Sequence, residues 1–293
     1  MARFGEVLTA MVTPFDYDLA LDVDGAVGVA RWLADNGSTG LVLAGTTGES
    51  PTLSDDEKVE LWRAVAEAVT VPVVAGAGSN DTRHSVELTE RATQCGVAAV
   101  LAVTPYYNRP SQAGLEAHFR AVAGATPLPL MVYDIPIRTG RKISHEVLVR
   151  LAREVPNFLA VKDAALDVSA SARLTAAAPA GFELYSGNDD QTLPLLAIGG
   201  VGVVGVATHW AGQQFAEMVA SFSKGDVATA REVNARLLES YDFEASDAAP
   251  NPVPVKAMMR VLGHRVGECR PPMGPTPAGL EDRAREVLDR LRG

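Results

Sequence analysis

Two patterns of apolar and polar residues alternate along this chain. Short, almost unbroken apolar runs occupy residues 7–12, 40–44, 71–75, 98–103, 128–133, 159–162, 182–186 and 201–206. Between them, apolar residues recur every three or four positions. An unbroken run fits a strand buried on both faces, as in a parallel sheet, and the longer period fits a helix with one face on a core. Punctuation agrees with this division. Gly37 closes the first helical stretch, 24–36, and Ser54 with Glu57 has capping-box spacing before the next. Eight strand–helix units in succession predict an α/β fold, a closed parallel (β/α)8 TIM barrel, with an open doubly wound sheet as the alternative. From about Lys224 only helical patterns remain, at 227–239, 252–262 and 277–292. The expected organisation is a barrel carrying the active site over 1–223 and a helical extension packed on it over 224–293.

Two stretches invite other readings. Residues 191–216 carry no formal charge but contain five glycines, a proline, a histidine and three glutamines. That composition fits a helix, a Gly-Gly stop and a buried strand better than a membrane span. Gly200, Gly202 and Gly205 have dinucleotide-binding spacing, yet they fall inside a strand pattern and not between a strand and a helix.

Composition then narrows the function. The 293 residues include 26 basic and 36 acidic side chains, a net charge of −10, which argues against a nucleic-acid surface. Five histidines form no H-x-H or H-E-x-x-H set, and Cys95 and Cys269 have no metal or redox spacing, so no metal is expected. G-x-S-x-G is absent. The first fifteen residues lack a basic segment followed by a clean apolar core, so a cytoplasmic protein is expected.

In a barrel of this kind, chemistry sits at the C-terminal ends of the strands. Those ends carry Thr46 and Thr47, Tyr106 and Tyr107, Tyr133, Arg138, Lys162, and Gly187 through Asp189. Of the five lysines, Lys58, Lys142, Lys162, Lys224 and Lys256, only Lys162 ends a strand. Burial can lower a lysine pKa and leave a free amine, the group that forms a Schiff base with a carbonyl substrate. A core lysine snorkelling to Asp163 is the structural alternative. Tyr133 ends the preceding strand, within reach as an acid or base, or else it caps the core. Arg138 could grip a carboxylate or make a surface salt bridge. The loop from Gly45 to Gly48 offers hydroxyls and backbone N–H groups to a small anion, or serves only as a tight turn.

Together these segments are more specific than any one of them. GTTGES at 45–50, TPYYNRPSQ at 104–112, YDIPIRTG at 133–140, VKDA at 161–164, SGND at 186–189 and NPVPVK at 251–256 resemble the dihydrodipicolinate synthase (4-hydroxy-tetrahydrodipicolinate synthase) family of class I pyruvate-dependent aldolases. The resemblance spans essentially the whole chain. It implies a lyase that condenses pyruvate with L-aspartate 4-semialdehyde without metal or organic cofactor. Another pyruvate-dependent aldolase, of the N-acetylneuraminate lyase or 2-keto-3-deoxy sugar acid type, shares the lysine, the strand-end tyrosine and the first loop. A non-catalytic binding barrel is the reading from another class.

By the same resemblance, Lys162 forms the Schiff base, and Tyr133 exchanges protons beside it in a relay with Thr46 and Tyr107. Thr47 and the backbone at Val204 contact pyruvate, Gly187 binds substrate, and Arg138 meets the carboxylate of the aldehyde. The family resemblance also implies a homotetramer, a dimer of dimers, in which Tyr107 enters a partner's site. Asp163 stands where glutamate is common, and Ile137 where a small residue is common. Some members bind L-lysine as an inhibitor at positions matching Ser50, Asp55, Lys58, Asn80, His84 and Tyr106. Lysine-sensitive members carry histidines in place of Asp55 and Lys58 and a glutamate in place of His84. Weak or absent lysine inhibition is therefore expected.

Overall fold

The structure, a computed structural model, describes residues 2–292. Strand and helix alternate as β1 (Val7–Ala10), α1 (Val23–Asp35), β2 (Gly40–Leu43), α2 (Asp55–Ala68), β3 (Val73–Gly76), α3 (Thr82–Thr93), β4 (Ala99–Val103) and α4 (Gln112–Gly124). Then follow β5 (Leu130–Asp134), the single turn α5 (Pro136–Thr139), α6 (His145–Glu154), β6 (Phe158–Asp163), α7 (Val168–Ala177), β7 (Glu183–Ser186), α8 (Thr192–Ala197), β8 (Gly202–Gly205) and α9 (Thr208–Ser223). Three helices complete the chain: α10 (Val227–Phe243), α11 (Val253–Val261) and α12 (Leu280–Arg292). The strands pair in sequence order, all parallel, and β8 closes onto β1. The expected TIM barrel is the observed fold.

Every strand is buried on both sides, which is why the apolar runs lack alternation. One apolar cluster fills the barrel interior, with Leu8, Val42, Val74, Leu101, Met131 and Tyr185 among its members. A larger one lies between strands and helices and continues into α10, α11 and α12. Along β5, Leu130 and Val132 face the outer layer, whereas Met131 and Tyr133 face inward. In β6 a register irregularity sets Leu130 against Phe158 but Met131 against Ala160. The extra residue, Leu159, re-phases the strand so that Ala160 and Lys162 point inward and Asp163 points out.

Several boundaries differ from the sequence expectation. β1 ends at Ala10, because the Val12 N–H turns to His209 Nε2, 3.1 Å away. α10 runs on to Phe243 because Leu237, Ser240 and Phe243 continue its buried face. Trp210 Nε1 donates to Ser240 Oγ at 3.0 Å there, a polar contact that hides the face from an apolar reading. The Ser54 capping box forms, with the Ser54 N–H donating to Glu57 at 2.8 Å and the Glu57 N–H to Ser54 Oγ at 3.2 Å. The strand reading of the glycine cluster holds. A Cβ on Gly202 would lie 1.9 Å from the Glu6 carbonyl, so close strand contact accounts for that glycine. Residues 191–216 form α8, β8 and the start of α9, and no helix among the described residues is long and apolar enough to cross a membrane.

Candidate active site

Tyr133 and Lys162 are direct register partners on neighbouring strands, and both point into the mouth of the barrel. Each is only 5% exposed. Lys162 Nζ lies 4.2 Å from the centre of the Tyr133 ring. Burial holds the Lys162 amine down at about 8; Asp189 pulls it up and Arg138 pushes it further down. About a tenth of Lys162 is then unprotonated at pH 7, against roughly one in three thousand for an ordinary lysine. Burial drives the Tyr133 phenol up to about 12, opposed by the Arg138 charge and a hydrogen bond with Thr46. The phenol is therefore protonated at neutral pH and poised as a donor.

Lys58 and Lys256 are buried too, although neither ends a strand. They differ in their partners. Lys58 Nζ lies 3.9 Å from Asp55, and Lys256 Nζ lies 2.7 Å from Glu49. Lys162 has no ion pair among the described residues and instead lines a cavity.

That cavity has a volume of about 570 Å³, and Thr46, Thr47, Tyr133, Arg138, Lys162 and Gly187 all line it. The fold thus brings together six of the eight residues expected to act on substrate. Arg138 is presented by α5, which Pro136 starts and Gly140, at φ +68°, stops. Thr46 and Thr47 sit on the turn after β2, which the C-terminal helices hold from behind. Asn251 donates from Nδ2 to Thr47 Oγ1 at 3.0 Å. Glu49, in the left-handed region at φ +57°, pairs with Lys256, and it accepts the Arg270 N–H at 2.8 Å. Glu49 and Lys256 are 1% and 0% exposed.

The other two residues stand apart. Tyr107, at φ +73°, is 90% exposed and lines neither this cavity nor the adjoining one beside Tyr106. The Val204 side chain belongs to the barrel interior, and Val206, two residues on, lines the cavity. Tyr106 lines an adjoining apolar cavity of about 300 Å³ with Ser50, Thr46, Tyr133 and Arg138. Of the remaining positions in the expected effector set, Asn80 accepts from Asn108 Nδ2 at 2.8 Å through its carbonyl. Asp55 takes both His84, at 2.9 and 3.0 Å, and Lys58.

Sequence reasoning missed Asn251, Lys256 and Glu244 as parts of the site, and it placed Asp189 at a strand end without giving it a role. The first two lie in the NPVPVK segment, whose proline density reads as a helix start. Asp189 lies in the SGND segment, and Glu244 caps the end of α10. Among the described residues, no group of three or more His, Cys, Asp or Glu side chains is placed to hold a metal ion.

The comparisons with known proteins bear on this geometry. The model of the dihydrodipicolinate synthetase family matches residues 3–290. The chain belongs to that family. It is 51% identical over 289 residues to the 4-hydroxy-tetrahydrodipicolinate synthase of Acidothermus cellulolyticus, covering 98% of this chain and 92% of that one. It is 44% identical over 275 residues to the Bacillus subtilis enzyme of that name, covering 93% and 94%. Among solved structures, the dihydrodipicolinate synthase of Bacillus anthracis superposes with a TM-score of 0.94 at 42% identity over 99% of both chains. The lysine-bound enzyme from Cyanidioschyzon merolae does so with a TM-score of 0.96 at 41% identity, over 100% of this chain and 99% of that one.

Proposed function

We infer that this chain is a lyase that condenses pyruvate with L-aspartate 4-semialdehyde to give 4-hydroxy-tetrahydrodipicolinate, on the route to diaminopimelate and lysine. Membership of the family supports the reaction. The observation that carries the site assignment is the pairing of Lys162 with Tyr133: a buried amine without an ion-pair partner, beside a protonated phenol, in a cavity that also holds Arg138.

The free Lys162 amine attacks the pyruvate carbonyl. The carbinolamine oxygen takes a proton from Tyr133 and leaves as water, and Lys162 is left as an iminium. The phenolate, stabilised by Thr46 and Arg138, then removes a methyl proton, and the electron pair moves into the iminium to give an enamine. The enamine carbon attacks the aldehyde, whose oxygen takes a proton back. Attack of the substrate's own amine on the regenerated iminium carbon closes the ring and releases Lys162. Thr47 and the turn around it bind the pyruvate carboxylate, and Arg138 forks onto the carboxylate of the second substrate. Lys162, Tyr133 and the substrates account for each proton and electron pair, so the sequence of steps calls for no metal or organic cofactor.

Three further points belong to this reading. Tyr107, exposed and in a strained backbone conformation, reaches into a partner's site, which makes the active unit at least a dimer, and membership of the family supports a homotetramer built as a dimer of dimers. Residues 224–293 serve as an extension of the barrel over 1–223, supported by the shared apolar cluster and the Lys256–Glu49 pair. The enzyme works in the cytoplasm. The test of function is initial rate with pyruvate and aspartate semialdehyde, set beside pyruvate with sugar-derived aldehydes. Turnover only with a sugar aldehyde would move the chain to another aldolase of the same chemistry.

A further inference from the structure

We propose that Asp189 and Glu244 form one carboxyl–carboxylate pair, holding a single proton and a single negative charge, that serves as the counter-charge to the iminium on Lys162. The inference rests on the Schiff-base reading above and assigns two positioning residues that it leaves unused. Asp189 follows β7 and is 2% exposed. Its Oδ2 accepts the N–H groups of Val206 at 2.7 Å and Ala207 at 3.4 Å, beyond the end of β8. Its Oδ1 packs over Gly205, where an added Cβ would lie 2.2 Å away. No N–H or hydroxyl donor reaches that Oδ1, and none reaches Glu244 Oε1; both atoms are sealed from solvent. Both side chains line the cavity that holds Lys162, and a shared proton would give each of these unpartnered oxygens a hydrogen-bond partner in the other.

Two carboxyl oxygens can bond only through a proton. In a site this dry, two contacting carboxylates cannot both stay ionised. The proton sits on Glu244, whose carboxyl burial and the Asp189 charge hold well above the usual range. Burial raises the Asp189 carboxyl too, but Glu244, the Val206 and Ala207 N–H groups and the Lys162 charge all oppose that rise, so Asp189 is the member that keeps the charge. The charged and titratable groups around the pair are Lys162, Tyr133 and Arg138 across the cavity, Tyr241 beside it, and Asp190 and Asp242 on its exposed rim. The single charge suits the chemistry. A doubly ionised pair would fix Lys162 as an ammonium and remove the nucleophile. A neutral pair would leave the iminium without a partner in a buried site. Asp163, the neighbour of Lys162 in sequence, does not serve this purpose: it points outward and accepts from Ser171 Oγ at 2.6 Å and the Ala165 N–H at 2.9 Å.

The experiment uses the full-length enzyme and borohydride trapping of labelled pyruvate over a range of pyruvate concentrations. Wild type is the control: if it traps nothing, the Schiff-base reading falls and the pair is not at issue. Given a wild-type adduct, Asp189→Asn removes the charge and Glu244→Gln removes the proton but no charge. Half-saturating pyruvate is expected to rise about tenfold more in Asp189→Asn than in Glu244→Gln, the effect of losing one charge partner in a partly screened site. Equal rises would overturn the proposal. Independently, the infrared difference spectrum between wild type and Glu244→Gln at neutral pH is expected to show the carbonyl stretch of one protonated carboxylic acid in wild type. If Asp189→Asn fails to fold, that spectrum decides alone, and absence of the band overturns the pair.

Discussion

Lys162 is held in a place that favours chemistry over stability, and replacing it with methionine measures the difference. Methionine fills similar space without a charge. The lysine pKa falls from 10.5 in the unfolded chain to about 8 in the fold, chiefly through burial. At about 1.4 kcal/mol per unit, keeping the proton on Lys162 costs the folded state about 3 kcal/mol at neutral pH. The sign follows from proton binding. Below pH 8 both states carry the proton, and the fold bears the full cost. Between about 8 and 10.5 only the unfolded chain binds it, so wild-type stability gains on raising the pH. Lys162→Met has no such proton. It is expected to be more stable than wild type at pH 7, and that advantage is expected to shrink by about 2 kcal/mol on going to about pH 9.5. Equilibrium urea unfolding of both proteins at both pH values, followed by circular dichroism, reads the difference directly. An advantage that is constant with pH, or that grows with it, would refute the reasoning that burial has lowered this pKa.

Arg138→Ala is expected to leave pyruvate trapping intact while kcat/KM for aspartate semialdehyde falls by about 10- to 100-fold, the value of one or two charge-assisted hydrogen bonds; unchanged kinetics would remove Arg138 from the site. Lys256→Met leaves Glu49 buried without its cation and is expected to cost about 3–5 kcal/mol in urea unfolding, with the KM for pyruvate rising because the turn carrying Thr47 loosens. L-lysine at millimolar concentration is expected to inhibit weakly or not at all. His84 at 2.9 Å and Lys58 at 3.9 Å already occupy Asp55, so no free carboxylate meets the inhibitor's ammonium group. Strong, saturable inhibition in initial-rate assays would show that a lysine site survives these substitutions.

The barrel was legible because parallel strands are covered on both faces, which leaves unbroken apolar runs, and because a lysine ending such a run is conspicuous. Strand ends were less legible: the last residue of a run, such as Val12 or Val206, is apolar whether or not it stays in the ladder. The bulge at Leu159 left no mark either, since Phe158 to Val161 are apolar on both sides of it. What supports the site from behind was hidden for a different reason. Asn251 bonds to a threonine 204 positions away, and Lys256 pairs with Glu49 across a comparable gap. No local spacing encodes such a contact, so Lys256 looked like an ordinary helix lysine. Glu244 was hidden by the polar end of α10, where Ser240, Tyr241 and Asp242 mask a face that remains partly buried. Tyr107 was legible as a strand-end residue but took a role only by resemblance, and its exposure in a single chain fits a residue whose surroundings another subunit supplies.

The most direct test of the central claim is where pyruvate becomes attached. Wild-type enzyme and Lys162→Ala are incubated with pyruvate, reduced with borohydride, digested, and mapped by mass spectrometry. The account predicts one reduced pyruvate adduct in wild type, on Lys162, with no adduct in Lys162→Ala although that variant folds. An adduct on Lys256 or Lys58, or trapping by Lys162→Ala at near wild-type yield, would contradict it.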